Sequence, residues 1–298
     1  MKYTLKTHSK KILADTITPV SVYLRLRDRF PNSLLLESSD YRANDNTFSY
    51  ICCKPIASIT VKDEIITESF PDGKTTTTSI DTTTDVVGII EAFAKNFETE
   101  DNDKKFIQNG LFGYMSYDAV RYFEDIEITK KEGALEVPDL YYAVYQNIIA
   151  INHFNNEAYI FSHTYNEENN LSEIAQLLTV KSFAEYHFKL EGAQQSQMSD
   201  DAFMDLVKTC KKHCQRGDVF QIVPSKRFSQ NFSGDEFNVY RSLRSVNPSP
   251  YLFFFDYGNF KIFGSSPEAQ LIVKEGKAEI HPIAGTFKRT GNDEKDAV

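Results

Sequence analysis

The sequence predicts an α+β protein, built mainly of antiparallel sheets with helices packed on them. Three observations predict it. Leu140–Phe154 (LYYAVYQNIIAINHF) and Ala158–His163 form a long apolar hairpin across Asn155-Asn156. Short strand-like runs separated by turn residues follow one another between Tyr251 and Pro282. Helical patterns are few and separate, not alternating with single strands as in a doubly wound α/β chain.

Taken in order, Leu34–Glu37 and Phe48–Val61 (FSYICCKPIASITV) are rich in β-branched and aromatic residues, with Pro55 marking an edge or a bend. Pro71-Asp72-Gly73 is a turn, and Thr75–Thr84 is an exposed loop or an edge strand. Asp85 caps a helix whose apolar residues recur as VVGIIEAFAKNF. The strand from Leu140 is apolar along nearly its whole length, so it belongs inside a sheet. A short helix follows near Leu171–Leu178, and Gln194–Asp200 (QQSQMSD) has the composition of a linker. Ser199–Gln215 is an amphipathic helix with Phe203, Leu206, Val207, Cys210 and Cys214 on one stripe, closed by Gly217. Val219–Phe228 then predicts a strand and Asp235–Ser245 a helix. The final strands are Tyr251–Asp256, Phe260–Gly264, Ala269–Lys274 and Ala278–Pro282. This order divides the chain into residues 1–165, a connecting helix and linker over 166–195, and a second domain over 196–298.

Composition narrows the function. A chain of 298 residues is long enough for roughly two domains, or one large one, with a well-buried core. Its 33 Lys+Arg against 42 Asp+Glu give a net charge of −9, which argues against nucleic acid as a partner. The basic start, MKYTLKTHSKK, lacks the apolar stretch of a secretion signal, and no run approaches the ~18 apolar residues of a membrane span. Four cysteines in this length do not make a disulfide framework. The expectation is a soluble, cytoplasmic protein.

Several motifs resemble chemistry without sustaining it. Cys210, His213 and Cys214 stand at i, i+3 and i+4, but no fourth ligand accompanies them; they read as small buried cysteines, and no metal site is predicted in this chain. Cys52 and Cys53 point to opposite faces of a strand. No nucleophile-elbow pattern surrounds Ser225 or Ser266. Gly110 and Gly113 read as glycines that let aromatic neighbours pack closely.

Two stretches are less easily set aside. In Asn247–Tyr251 (NPSPY) two prolines fix φ and remove N–H donors, which suits either a turn leading into the sheet or a rigid wall for a small aromatic ligand. In Pro282–Thr286 (PIAGT), Ala284 and Gly285 leave the backbone open to close approach by a ligand or another strand.

These two stretches, with Gly217–Ser229 (GDVFQIVPSKRFS), Gly264–Glu268 (GSSPE), Leu34–Ser38 (LLLES) and the GLFGYMSYDAVRYFE run, resemble the chorismate-utilising enzymes, and among them the anthranilate synthase large subunits (component I). The matching motifs run in the family's order from residue ~34 to the end of the chain. The resemblance implies the chorismate-utilising fold, and conversion of chorismate and ammonia to anthranilate and pyruvate with Mg²⁺ as cofactor. It also implies a glutamine amidotransferase partner (component II) and feedback inhibition by L-tryptophan. By position, Glu37, Ser38, Pro250, Tyr251 and Leu252 would hold tryptophan, with Glu37 facing its ammonium group. Gly285 and Thr286 would touch chorismate. Leu252 stands where the family often has Met, a swap of similar volume. Ala284 stands where the sister enzyme, aminodeoxychorismate synthase component I, commonly has a nucleophilic Lys, which favours the tryptophan pathway over the folate pathway. A third reading is a stand-alone tryptophan-binding regulatory module. The family continues past PIAGT through its Mg²⁺-binding glutamates and catalytic groups, so the resemblance further implies a truncated, inactive amino-terminal portion, with catalytic residues and metal ligands beyond Val298.

Overall fold

A computed structural model describes residues 2–38, 47–100, 106–129, 135–283, 285 and 288–296. The elements are β1 (Tyr3–Leu13), α1 (Pro19–Leu26), β2 (Leu34–Glu37), β3 (Phe48–Lys62), β4 (Ile65–Ser69), β5 (Thr75–Ser79), α2 (Val86–Lys95), β6 (Phe97–Thr99), β7 (Leu111–Met115), β8 (Leu140–Asn152), β9 (Glu157–Thr164) and α3 (Leu171–Thr179). There follow β10 (Phe188–Ser196), α4 (Asp200–Arg216), β11 (Phe228–Gly234), α5 (Phe237–Val246), β12 (Tyr251–Asp256), β13 (Lys261–Ser266), β14 (Ile272–Lys274), β15 (Lys277–Glu279) and α6 (Asp293–Asp296). The chain divides into two compact units, Met1–Glu185 with Tyr240–Pro267, and Tyr186–Val239 with Glu268–Val298.

Among the described residues the first unit holds one eleven-stranded sheet in the order β13-β12-β2-β3-β8-β9-β1-β6, with β4 and β7 pairing on β3 and β8, and β5 on β4. Among the described residues of this sheet only β1 and β6 pair in parallel. The long apolar strand β8 lies inside the sheet, as its sequence requires. Pro55 sits where the β3–β8 register slips between Pro55 and Ala57, so the missing N–H falls at a bulge. Thr75–Ser79 is an edge strand, paired only with β4. Gly113 is required by close approach: a Cβ there would lie 1.9 Å from the Tyr141 carbonyl oxygen on β8. Asp85 caps α2 by accepting the Gly88 N–H.

Helices α1 and α3 pack on each other and over β2, β3 and β9. Cys52 lies among Leu34, Tyr145, Phe161 and Phe255 in the aromatic core, while Cys53 is buried on the other face of β3. Burial pushes both thiols up, Cys53 to about 12, so neither is a thiolate at neutral pH.

The second unit departs from the sequence reading in four places. The strand expected at Val219–Phe228 is irregular through Arg227, and β11 begins at Phe228. Its β-favouring residues, with Phe220 and Val223 exposed, meet no partner strand among the described residues, and β propensity without a ladder makes no strand. Gln194–Ser196, read as linker, close β10, paired Gln195↔Ser229 and Ser196↔Phe228; a strand exposed on both faces is as polar as a linker. The last two strands shrink to the three-residue β14 and β15 around the Glu275-Gly276 turn, a hairpin with no third strand among the described residues to extend it. Cys214, expected to be buried, is exposed, whereas Cys210 is buried. The amphipathic helix itself is as expected: Ser199 caps α4 by accepting the Ala202 N–H, and Gly217 closes it in the left-handed conformation. One further difference concerns the division of the chain. Tyr240–Pro267, grouped by sequence with what surrounds it, packs in the first unit, because β12 pairs with β2 rather than with a strand near it in sequence.

Candidate functional site

The four residues of β2 lie between β3 and β12. The register Leu252↔Glu37, Phe253↔Leu36, Phe254↔Leu35 and Phe255↔Leu34 sets the end of LLLES directly against the start of the YLFFF strand. NPSPY is the bridge that makes this possible. Helix α5 stops at Val246, the Asn247 N–H still bonding back to Leu243 O at 2.8 Å. Two prolines then prevent the helix from continuing, and β12 starts immediately after Pro250. The Ser265 hydroxyl on β13 donates to Asn247 O at 2.6 Å and fixes the bridge to the sheet. This chain reversal turns α5 back over the β2–β12 junction.

Tyr240 and Arg244, four apart on α5, share one helix face and converge on Glu37. The Tyr240 hydroxyl donates to Glu37 Oε2 at 2.5 Å. Arg244 Nε lies 3.0 Å from Glu37 Oε2 and 3.2 Å from Oε1. The Glu37 side chain is only 3% exposed, whereas Arg244 is 45% exposed. A carboxylate so deeply buried needs partners of this kind, and losing one is severe. Burial, then the nearby Glu37 charge, pushes the Tyr240 hydroxyl far above its ordinary pKa, so it is a donor at neutral pH.

Ser38 stands on a second, adjoining network. Its N–H donates to Ser49 Oγ at 3.3 Å, and Ser49 Oγ lies 2.7 Å from His153 Nε2. Burial first, and then the Arg244 charge, hold His153 below its ordinary pKa, and it is neutral near pH 7. A neutral ring accepting at Nε2 from the Ser49 hydroxyl leaves that oxygen free to accept from Ser38. Glu37, Ser38, Ser49, His153 and Arg244 therefore form one polar margin where β2 ends.

The structure thus brings together all five residues expected to hold an amino acid, but not in equal roles. Glu37 and Leu252 are cross-strand partners on one face, and both are buried. Alternation places Tyr251, which is exposed, on the opposite face from Leu252. Ser38 and Pro250 are half-buried at the margin between them. Sequence reasoning missed Tyr240, Arg244, Ser49 and His153. An i, i+4 Tyr–Arg pair on a polar helix signals nothing until its packing partner is known.

Of the residues expected to touch chorismate, Gly285 is exposed in the second unit, while Thr286 lies outside the described residues, as does Ala284. Among the described residues no group of three His, Cys, Asp or Glu side chains could hold a metal ion. No helix among them is long and apolar enough to cross a membrane. A concavity of about 340 Å³ lies where β3 ends, lined by Lys62, Asp63, Glu64, Arg121, Glu136 and Asp139 among others, and none of the expected site residues lines it.

Comparison with known proteins sets this geometry in context. A family profile described as chorismate binding enzyme matches residues 19–298. "Anthranilate synthase component 1" of Lactococcus lactis is 31% identical over 306 residues, covering 96% of this chain and 63% of the relative. The protein of the same name from Saccharomyces cerevisiae is 32% identical over 305 residues, covering 94% and 57%. "Aminodeoxychorismate synthase component 1" of Bacillus subtilis is 30% identical over 298 residues, covering 96% and 61%. The chain thus spans about three fifths of the length of the curated relatives it matches. In fold it resembles the crystal structure of anthranilate synthase component I from Streptococcus pneumoniae (TM-score 0.62, 21% identity, 90% of this chain and 60% of that one). It also resembles MenF, the menaquinone-specific isochorismate synthase of Escherichia coli (TM-score 0.54, 12% identity, 90% and 52%). The mixed α+β architecture is that of these neighbours.

Proposed function

This chain belongs to the family of chorismate binding enzymes, and from that premise we propose that it represents the amino-terminal part of an anthranilate synthase large subunit. The whole enzyme adds ammonia at C2 of chorismate with loss of the C4 hydroxyl as water, then eliminates pyruvate to leave anthranilate. Ammonia comes from glutamine through an amidotransferase subunit. Mg²⁺ would be the cofactor, its ligands lying outside the described residues, and when bound it would supply Lewis-acid polarisation and orient the substrate carboxylate. The setting is the cytoplasm. Gly285 and Thr286 offer backbone N–H groups and a hydroxyl to chorismate. The 298-residue chain is proposed to lack this turnover alone, spanning only 63% of a relative such as the Lactococcus lactis protein.

The single observation behind the regulatory half of the proposal is the Leu252↔Glu37 register, which joins LLLES to NPSPY within one unit. We assign this junction to L-tryptophan, the end product, with Ser38, Pro250 and Tyr251 at the surface and Leu252 and Glu37 supporting them. The stand-alone regulatory module shares this site but not the chemistry. Aminodeoxychorismate synthase is the second enzymatic reading, supported by the Bacillus subtilis relative at 30% identity. Ala284 weighs against it, since an alanine cannot act as a nucleophile where the sister enzyme commonly has Lys.

Product identification tests the proposal. The full-length gene product, given chorismate, Mg²⁺ and ammonium, should release fluorescent anthranilate and pyruvate. Accumulation of aminodeoxychorismate would transfer the assignment to the folate-pathway enzyme. Absence of both products would overturn the enzymatic reading and leave the regulatory module.

A further inference from the structure

The Glu37 carboxylate is not a vacant counter-ion. It is 3% exposed, bonded to Tyr240 at 2.5 Å and to Arg244 at 3.0 Å. Meeting an ammonium group directly would require it to give up a partner while still buried, which is unfavourable. The exposed member of the cluster is Arg244. Its Nε–H is spent on Glu37, while the guanidinium plane carries further donors in a rigid fork. A buried carboxylate holding an arginine by Nε removes the rotamer freedom that binding an anion would otherwise cost. The arginine charge reaches the neighbouring margin, since it contributes to holding His153 neutral beside Ser49 and Ser38.

The geometry points to Arg244 as the group that receives the α-carboxylate of the amino acid bound at the β2–β12 junction, with Glu37 and Tyr240 as its positioning residues. This rests on the assignment of that junction to an amino acid, and deepens it by naming the group that recognises the ligand's acid end. The Glu37–Arg244 pair is neutral overall, so it suits a zwitterion better than a ligand carrying a lone charge. The ammonium group then lies toward the Ser38 side of the margin, where Glu37 acts through the field of the pair and not by direct contact.

Calorimetric titration of the 298-residue chain with L-tryptophan and with tryptamine, which lacks the carboxylate, tests this. The wild type should favour tryptophan by about tenfold to a hundredfold, as befits a hydrogen-bonded charged group. In Arg244→Met that preference should collapse toward unity or reverse, because tryptophan loses the partner of its carboxylate while the cationic tryptamine meets a Glu37 carboxylate without its counter-ion. Arg244→Lys, which keeps charge but loses the fork, should restore part of it and guards against a variant that merely fails to fold. An unchanged tryptophan-to-tryptamine ratio in both variants overturns the role of Arg244. If Ser38→Phe still abolishes tryptophan binding in that case, the junction remains the amino-acid site and only this inference falls. If Ser38→Phe has no effect, or tryptophan does not bind, the site assignment falls and takes the inference with it.

Discussion

Replacing Tyr240 by Phe removes one oxygen from the most deeply buried charged cluster at the junction. The ring remains, and with it the packing on Phe254 (centroids 5.6 Å apart) and Phe263 (6.5 Å). What is lost is a 2.5 Å bond to an ionised carboxylate, leaving Glu37 with Arg244 alone. Bonds to charged groups contribute ~1.5–3 kcal/mol, so the first unit should lose about that much stability. For a unit of this size, about 150–250 residues, that corresponds to a fall in its Tm of roughly 3–12 °C. Thermal unfolding followed by circular dichroism measures it. In a Glu37→Gln background the same substitution should cost only about 0.5–1.5 kcal/mol, because the acceptor is then neutral. A fall of less than 1 °C in the wild-type background would refute the reasoning, as would an equal fall in both backgrounds: the hydroxyl would not be holding a charge.

Three further outcomes follow from the fold. Gly113→Ala should destabilise the β7–β8 pairing by about 3 kcal/mol, since its Cβ would lie 1.9 Å from backbone that cannot yield, and a urea midpoint equal to wild type would contradict this. His163, buried with Thr7 Oγ1 3.0 Å from Nδ1 and Gln108 O 2.8 Å from Nε2, is held below its ordinary pKa by burial. The folded chain therefore refuses a proton that the unfolded chain binds, and this contribution to stability is full above about pH 6.5 and lost as pH falls below it. His163→Gln should narrow the gap between urea midpoints at about pH 7.5 and about pH 5.5, and an unaltered gap would show that His163 does not titrate on unfolding. The Ser49→Ala variant should loosen Ser38 by removing the acceptor of its N–H, read as faster exchange of that amide; an unchanged rate would mean the 3.3 Å bond does not hold it.

How much of this was legible in the sequence follows from how each element is stabilised. β8 and α4 were legible because long apolar runs and a capped, periodic stretch carry their own signal. Val219–Phe228 misled because β propensity is a preference that only a partner strand realises. The end of β10 was missed for the opposite reason: its ladder with β11 exists, but no apolar face marks it. At the site, Glu37, Ser38 and NPSPY were legible as motifs, and their pairing was not, since Glu37 and Leu252 meet across more than two hundred residues. That same distance hid Tyr240 and Arg244, whose role depends wholly on the carboxylate they reach.

The central claim, that the β2–β12 junction is a tryptophan site, is tested most directly by ligand-dependent stabilisation of this chain. It contains no tryptophan, so ligand indole emission can be followed in parallel without a protein indole background. At a hundredfold excess over its Kd, L-tryptophan should stabilise the first unit, which holds the junction, by about 2.7 kcal/mol, a rise in its Tm of roughly 5–11 °C. L-phenylalanine, without the indole N–H or second ring, should raise it far less, and Ser38→Phe should abolish the tryptophan response while keeping the ligand-free Tm. Equal shifts from the two amino acids, an undiminished shift in Ser38→Phe, or no shift with tryptophan would each contradict the account.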